Sequence, residues 1–214
     1  MKKGCILCLL ISVISLPLIA QNIIYSNLKE LLAQHGDTTA VLRVEKRSRN
    51  QIVLTGGADY RITAGDDESM CRRLKKRCFA VRDEKGDLYL NCRKLRYKKL
   101  RFGAWYAPAV QLGKNIYFCA MPLGSVIGGN FVEEDDVKLG GNIGDALAAS
   151  SLVTKRVCYE LNGETGKVDF LGKDKMLQLL ENYPELKQAY LKDDSQEAKH
   201  TFKYLLALRN KQKK

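Results

Sequence analysis

The sequence predicts an α+β protein: an antiparallel sheet built from hairpins, open or curled toward a barrel, with helices packed on it. Short runs of β-branched and aromatic residues alternate with turn residues between positions 38 and 172. A capped apolar stretch precedes them at residues 27–35, and residues 174–214 change to helical spacing. We expect a short N-terminal helix, about seven to nine strands, and two or three C-terminal helices.

The chain opens with the features of a secretory signal peptide. Two lysines precede the apolar run Ile6–Ile19, and the small residue Ala20 stands just before Gln21. The run is too short for a spanning helix. We expect cleavage between Ala20 and Gln21, a periplasmic or cell-surface location, and no transmembrane span afterwards. Residues 21–214 are expected to form a single domain.

The first elements after that site are a helix and a set of strands. Asn27 as N-cap and Glu30 as its capping-box partner predict a helix that ends at Gly36. The runs TTAVLRVEK and QIVLTGG then predict a strand pair, and DYRITA predicts a further strand.

The segment CFAVRDEKGDLYLNC predicts a hairpin with a three-residue loop, Glu84–Gly86. Counting outward from the centre of that loop places Cys78 opposite Cys92, within reach of a disulfide. Five cysteines follow residue 20, so at least one stays unpaired within the chain. A Cys71–Cys78 bridge is an alternative, and in a third interpretation all five cysteines are small buried hydrophobic residues.

The segment GAWYAPAVQLGKNIYFCAMP predicts two strands joined at Gly113–Lys114, with Pro108 at an edge or a bulge because proline cannot donate to a ladder. A last hairpin is predicted in KRVCYELNGETGKVDFLG. The aromatic residues of the first segment suit either core packing or a sugar-stacking platform, and we expect core packing. They are Trp105, Tyr106, Tyr117 and Phe118.

The remaining parts of the chain are a glycine-rich segment and a helical end. Residues 122–153 are punctuated by glycine pairs and predict a mobile surface segment. In residues 174–214, Asp174 is expected to cap one helix and Pro184 to begin the next. Asp194 or Ser195 is expected to cap a final helix.

The positive charge is concentrated in one stretch. The chain has a net charge of +12, and residues 72–101 hold thirteen Lys or Arg against three Asp or Glu. SMCRRLKK fits either a short helix or a loop, and CRKLRYKKLR fits two strand pieces joined by a bulge or turn. Such a field attracts anions, although a run of charge is also typical of a solvated strand face. The candidate ligand-binding cations are Arg72, Arg73, Lys75, Lys76, Arg77, Arg93, Lys94, Arg96, Lys98, Lys99 and Arg101.

The sequence contains none of the usual catalytic or metal-binding motifs. It lacks G-x-S-x-G and H-E-x-x-H, and the residues that follow the predicted signal peptide contain no C-x-x-C; the two histidines, His35 and His200, have no nucleophile at a spacing that would suggest catalysis. We therefore expect a protein that is not an enzyme and that uses no metal or cofactor. No nucleic-acid-binding motif is present either.

Three segments carry a resemblance to known proteins: the junction IA-QN, the hairpin YELNGETGKVDFLG, and the end MLQLLENYPELKQAYLKDD with FKYLLALRN. Together they resemble small exported proteins of Gram-negative gut anaerobes that belong to domain-of-unknown-function families. The resemblance covers about half of the chain. It implies an uncharacterised envelope protein and supplies no active site.

These observations favour an exported, non-catalytic binding module of the cell envelope, whose basic stretch 72–101 faces an anionic lipid or glycan such as lipopolysaccharide. The alternative is an accessory envelope protein that acts through protein contacts, in which the charge is incidental.

Overall fold

A computed structural model describes residues 21–39, 41–55, 57–97, 100–121, 156–193 and 198–212. The expected signal peptide and the glycine-rich segment 122–153 lie outside the described residues. The α+β class is confirmed: a large antiparallel sheet carries helices at both ends of the chain. The described helices are α1 (Leu28–Leu32), α2 (Arg49–Thr55), α3 (Glu68–Lys76), α4 (Lys173–Leu179), α5 (Pro184–Lys192) and α6 (Ala198–Gln212).

Ten strands form the main sheet, and two more form a separate hairpin. The ten are β1 (Asn22–Tyr25), β2 (Asp37–Thr39), β3 (Arg43–Lys46), β4 (Tyr60–Thr63), β5 (Ala80–Arg82), β6 (Leu88–Asn91), β9 (Tyr106–Leu112), β10 (Asn115–Ala120), β11 (Val157–Leu161) and β12 (Val168–Phe170). The separate hairpin consists of β7 (Arg96–Tyr97) and β8 (Leu100–Arg101).

The main sheet is open. Its strand order is β12-β11-β10-β9-β6-β5-β1-β2, and β4 branches from β9 and carries β3. The terminal strands β12 and β2 do not pair with each other, so the sheet does not close into a barrel. Every strand pairing is antiparallel, as the succession of hairpins predicts.

The two faces of the sheet carry different elements, because successive side chains of a strand point to opposite sides. Ala80 and Ala107 contribute to a cluster covered by Leu31 of α1 and by Leu95 and Phe102, which flank the β7–β8 hairpin. We call this the first face. On the second face, strand residues pack against α3 at one end and against the C-terminal helices at the other.

The hairpin of β5 and β6 has the predicted register. Ala80 lies opposite Leu90 and Arg82 opposite Leu88, so the centre of the turn falls at residue 85. Gly86 has a φ of 82°, the left-handed conformation that the three-residue loop requires.

The strand predicted for QIVLTGG is wrong, because residues 49–55 form helix α2. Ser48 and Gln51 make a reciprocal capping box: the Gln51 N–H donates to the Ser48 hydroxyl at 3.3 Å, and the Ser48 N–H donates to the Gln51 side chain at 2.9 Å. This cap overrides the β-propensity of the isoleucine and valine that follow. The strand partner of β3 is instead β4, in the segment DYRITA.

Helix α1 begins as predicted and ends differently. The Glu30 N–H donates to the Asn27 side chain at 2.9 Å, and the Ser26 N–H donates to the Glu30 carboxylate at 2.7 Å. The helix ends at Leu32, and Gln34, with a φ of 54°, provides the left-handed residue that was expected at Gly36. Gly36 instead packs so closely on β1 that a Cβ there would lie 2.7 Å from the carbonyl oxygen of Ile24.

Two further expectations change. Pro108 was expected at an edge or a bulge, but it lies within β9, a strand with neighbours on both sides, and pairs with Tyr89 of β6. On the other side, the ladder of β9 with β10 covers Ala109–Leu112 and does not include Pro108. Helix α4 begins after Gly172, and Asp174 lies in its first turn instead of capping it. Pro184 begins α5 as predicted, whereas Asp194 and Ser195 lie outside the described residues.

Candidate functional site

Helix α3 carries the first group of predicted ligand-binding cations. Its N-cap is Asp67, whose carboxylate accepts a hydrogen bond from the Met70 N–H at 2.9 Å, and Leu74 anchors it in the core. The cations occupy the last turns, where positive charge complements the helix dipole. We call them the helix group: Arg72, Arg73, Lys75, Lys76 and Arg77.

The second group lies on the segment that follows β6. A short 3₁₀-helix, Cys92–Lys94, leads into the β7–β8 hairpin, and buried Leu95 and Phe102 hold this segment on the sheet. Tyr97 adds an edge-to-face contact with Phe170, at 4.7 Å between ring centroids. The four described cations are exposed; Lys98 and Lys99 lie outside the described residues. We call the four the hairpin group: Arg93, Lys94, Arg96 and Arg101.

The two groups do not form one flat stripe. Leu74 of α3 belongs to the second face, and Leu95 and Phe102 belong to the first. Asn91, at the end of β6, connects the segments that carry the two groups. Its amide donates to the carbonyl oxygens of Leu74 at 3.1 Å and Cys78 at 2.9 Å, and its side-chain oxygen accepts from the Arg93 N–H.

Most of these cations have no carboxylate partner in the described part of the chain. Arg73 is the exception, because it forms an ion pair with Asp37. For the other four members of the helix group, and for all four of the hairpin group, no ion pair with a described residue is present. Their positive field is therefore not neutralised locally, and salt would screen it.

The cysteines pair differently from the prediction. Cys119 and Cys158 form a disulfide across β10 and β11, whereas Cys71, Cys78 and Cys92 are free thiols. Cys119 and Cys158 are directly opposite, with 4.3 Å between their Cα atoms, a spacing close to that of a non-hydrogen-bonded pair. The Cys78–Cys92 bridge is wrong although its register is right.

The reason is that the chain leaves the ladder at both positions. Cys78 turns toward the second face, where its thiol donates to the carbonyl oxygen of Ala80 at 3.1 Å. Cys92 begins the 3₁₀-helix and packs on the first face. Burial raises the pKa of the Cys78 thiol to about 11, so this sulfur is neutral at physiological pH.

A second candidate site surrounds Trp105. This residue has a φ of 75°, in a region that bulky residues adopt at a cost of about 1–3 kcal/mol. Its backbone is fixed on both sides: its carbonyl oxygen accepts from the Cys92 N–H at 2.9 Å, and the carbonyl oxygen of Ala104 accepts from the Ala58 N–H at 2.8 Å. The fold thus imposes this conformation.

Two arginines approach the indole ring of Trp105. The Cζ atoms of Arg47 and Arg61 lie 5.1 and 5.8 Å from the ring centroid, within the range of a cation–π interaction. Arg47 is buried, and its guanidinium donates to the carbonyl oxygens of Ala58 at 2.6 Å and Gln51 at 2.9 Å. Arg47 therefore ties α2 to the loop before β4 and forms a rigid wall beside the indole.

These groups line a cavity of about 250 Å³. Three cations and one carboxylate give it a formal charge of +2. We call it the Trp105 pocket, and it is lined by Glu45, Lys46, Arg47, Gln51, Thr55, Arg61 and Trp105. Of the four aromatic residues expected in the core, Tyr106, Tyr117 and Phe118 are buried there, and Trp105 is only partly buried.

A further cavity of about 240 Å³ lies beside Tyr117, Glu160 and Lys175. Its polar groups satisfy one another. The Glu160 carboxylate accepts from the Tyr117 hydroxyl at 3.0 Å and from the Asn115 amide at 2.7 Å, and Lys175 pairs with Asp169 at 2.7 Å. This network attaches α4 to the sheet, and we assign it a structural role.

The histidines and acidic residues form no metal site in the described ranges, where no three His, Cys, Asp or Glu side chains converge. The ring of His200 lies 3.0 Å from Asp193, and that hydrogen bond holds the pKa of the carboxyl below its ordinary value. None of the described helices is both long and apolar enough to cross a bilayer.

A comparison with models of known protein families finds a match over most of the chain. A model described as "Family of unknown function (DUF6563)" matches residues 23–212. The chain belongs to this family. The match confirms the expected domain-of-unknown-function family and extends it from about half of the chain to most of it. No curated protein and no solved structure matches the chain. The description of DUF6563 names no activity, and membership of a fold family does not by itself define a function.

Proposed function

We propose that this DUF6563 protein is an exported, non-catalytic binding module of the cell envelope that holds an anionic lipid or glycan on its basic surface. The observation that carries the proposal is the hairpin group: four exposed cations on a short, firmly anchored segment, with no ion pair to a described residue. The predicted signal peptide supports the envelope location.

The hairpin group suits a polyanion better than a single ion. Its cations follow one another over nine residues, on a support fixed by Leu95, Phe102 and the Tyr97–Phe170 contact. Arginine presents a planar fork that binds phosphate, sulfate or carboxylate through two hydrogen bonds. A ligand with several anionic groups engages several such forks at once, so the free energies of individually weak contacts accumulate.

Retention across a salt series tests the proposal. The protein would be applied to immobilised heparin, as an acidic glycan, and to immobilised lipopolysaccharide. We expect elution well above the physiological ionic strength of about 0.15 M, because each neutralised anion adds to the salt dependence. Replacing the hairpin group by glutamine should move elution to below that concentration.

Two variants that lose the same number of positive charges, four, at other positions serve as controls. One replaces Lys29, Lys167, Lys173 and Lys199, which are exposed and lie outside both groups. The other replaces Arg72, Lys75, Lys76 and Arg77 of the helix group. We expect the first to elute close to the wild type; the second shows whether the helix group shares the ligand. Equal loss in the scattered-lysine and hairpin variants would show that net charge alone is responsible and would contradict the proposal.

A further inference from the structure

We propose that the Trp105 pocket binds a carboxylate-bearing monosaccharide unit, with Arg61 binding the carboxylate and Trp105 packing against the sugar ring. The pocket residues are distinct from the helix and hairpin groups, so the inference goes beyond the proposed function and does not depend on it. Its support is the combination of an imposed indole position, an available guanidinium and a small cationic cavity.

Arg61 has its hydrogen-bond donors available. It lies directly opposite Glu45 in the β3–β4 ladder, yet the two side chains form no ion pair in the described structure, and the Arg61 guanidinium lies near the indole instead. Contact with an aromatic ring orients a guanidinium while leaving its N–H groups free to bind a carboxylate through two hydrogen bonds.

Arg47 has a different role from Arg61. Its guanidinium is committed to the carbonyl oxygens of Ala58 and Gln51, so it acts as a positioning residue that holds the wall of the pocket. The charged groups left for sugar hydroxyls are the Glu45 carboxylate and the Lys46 ammonium. Neither forms an ion pair with a described residue, and both line the cavity.

Size and charge define the ligand class. A volume of about 250 Å³ is slightly below the range of about 300–1,000 Å³ typical of pockets for drug-sized ligands, so the cavity suits one ring. The formal charge of +2 favours an acid over a neutral sugar. The Glu45 carboxylate accepts hydrogen bonds from hydroxyl groups and would repel a second negative charge, which disfavours multiply charged phosphate ligands.

The chain contains a single tryptophan, so its fluorescence reports on this pocket alone. The protein would be titrated with glucuronate and galacturonate, with neutral glucose, and with acetate, which has the carboxylate without the ring. We expect a saturable change of Trp105 emission with at least one of the two uronates. Glucose and acetate should bind about tenfold more weakly or worse, since each lacks one of the two contacts.

Four variants complete the test. Arg61→Gln should weaken uronate binding by about tenfold or more, and Arg61→Lys should recover only part of it because the fork is lost. Arg43→Gln removes an exposed charge two residues from Glu45 and outside the cavity, and should bind as the wild type does. The glutamine variant of the hairpin group should also keep the emission change, which separates this site from polyanion retention.

Two results would overturn the inference. One is the absence of any saturable emission change with either uronate. The other is equal weakening in Arg61→Gln and Arg43→Gln, which would reduce the effect to general electrostatics.

Discussion

Arg156 and Asp59, which lie ninety-seven positions apart in the chain, form an ion pair. The Nε atom of Arg156 lies 3.0 Å from one carboxylate oxygen of Asp59 and 2.8 Å from the other, and the Nη2 atom also contacts the carboxylate. The pair joins the start of β11 to the loop before β4. Because the carbonyl oxygen of Asp59 also accepts from the Arg47 N–H at 2.7 Å, the same residue supports the wall of the Trp105 pocket.

Replacing Asp59 by asparagine should destabilise the protein. Breaking a fully buried ion pair costs about 3–5 kcal/mol, and because these side chains retain 16% and 18% exposure we expect about 2 kcal/mol. Urea denaturation followed by far-ultraviolet circular dichroism measures it. Glu164→Gln, which breaks the exposed pair with Lys114, is the control and should leave the midpoint unchanged. Equal midpoints for the wild type and Asp59→Asn would contradict the assigned role.

The disulfide gives a second prediction. With Cys119 and Cys158 paired, residues 21–214 should show three reactive thiols after denaturation without reductant, and five after reduction. Replacing both bridge cysteines by alanine should lower the free energy of unfolding by about 3 kcal/mol, because the bridge closes a long loop in the unfolded chain. Cys78→Ala should lower the thiol count by one and preserve the bridge. Five thiols before reduction would contradict the pairing.

The elements that sequence predicted correctly are those fixed by contacts near in sequence. The β5–β6 register follows from the loop at residue 85, and the start of α1 follows from the Asn27–Glu30 capping box. Helix α2 differs from the prediction because its β-branched residues favour a strand, whereas Ser48 and Gln51, which also stand in the sequence, form a capping box that begins a helix.

The features that sequence did not reveal depend on long-range placement. The register of β10 on β11 cannot be counted across the thirty-nine residues that separate Cys119 from Cys158. The Trp105 pocket likewise requires Arg47, Arg61 and Trp105 to be brought together by three different segments. The basic stretch was visible as composition, but its division between two faces follows from α3, which the sequence left undecided between helix and loop.

Gly57 provides a test of how the position of Trp105 is enforced. It has a φ of 81°, and a Cβ there would overlap the carbonyl oxygen of Ala104 and lie 2.9 Å from Cδ1 of Trp105. Gly57→Ala should therefore destabilise the protein and shift Trp105 emission. Gly65 has a φ of 62° with open space around it, so Gly65→Ala isolates the conformational cost of about 1–2 kcal/mol. If both variants lose equal stability and keep the wild-type emission spectrum, the contact with Ala104 does not hold the indole.

Alkaline pH should weaken the fold through its buried thiols. Burial raises the pKa of Cys78 from 9.0 to about 11, and burial also raises the pKa of Cys92. Between pH 9 and about 11 the Cys78 thiol is ionised in the unfolded chain and protonated in the folded protein. Its contribution to stability is therefore fully present below pH 9 and falls as the pH rises toward 11. The contribution of Cys78 lost at pH 10 is about 1 kcal/mol.

The measurement is the urea midpoint of the wild type and Cys78→Ala at pH 7, 8, 9 and 10. The alanine variant should lose less stability between pH 8 and 10, because it has no thiol to ionise at position 78. Between pH 7 and 8 the two proteins should change in parallel, since the thiol is largely protonated in both the folded and the unfolded state. A parallel decline through pH 10 as well would mean that the Cys78 sulfur is accessible to water, in conflict with its burial between β5 and α3.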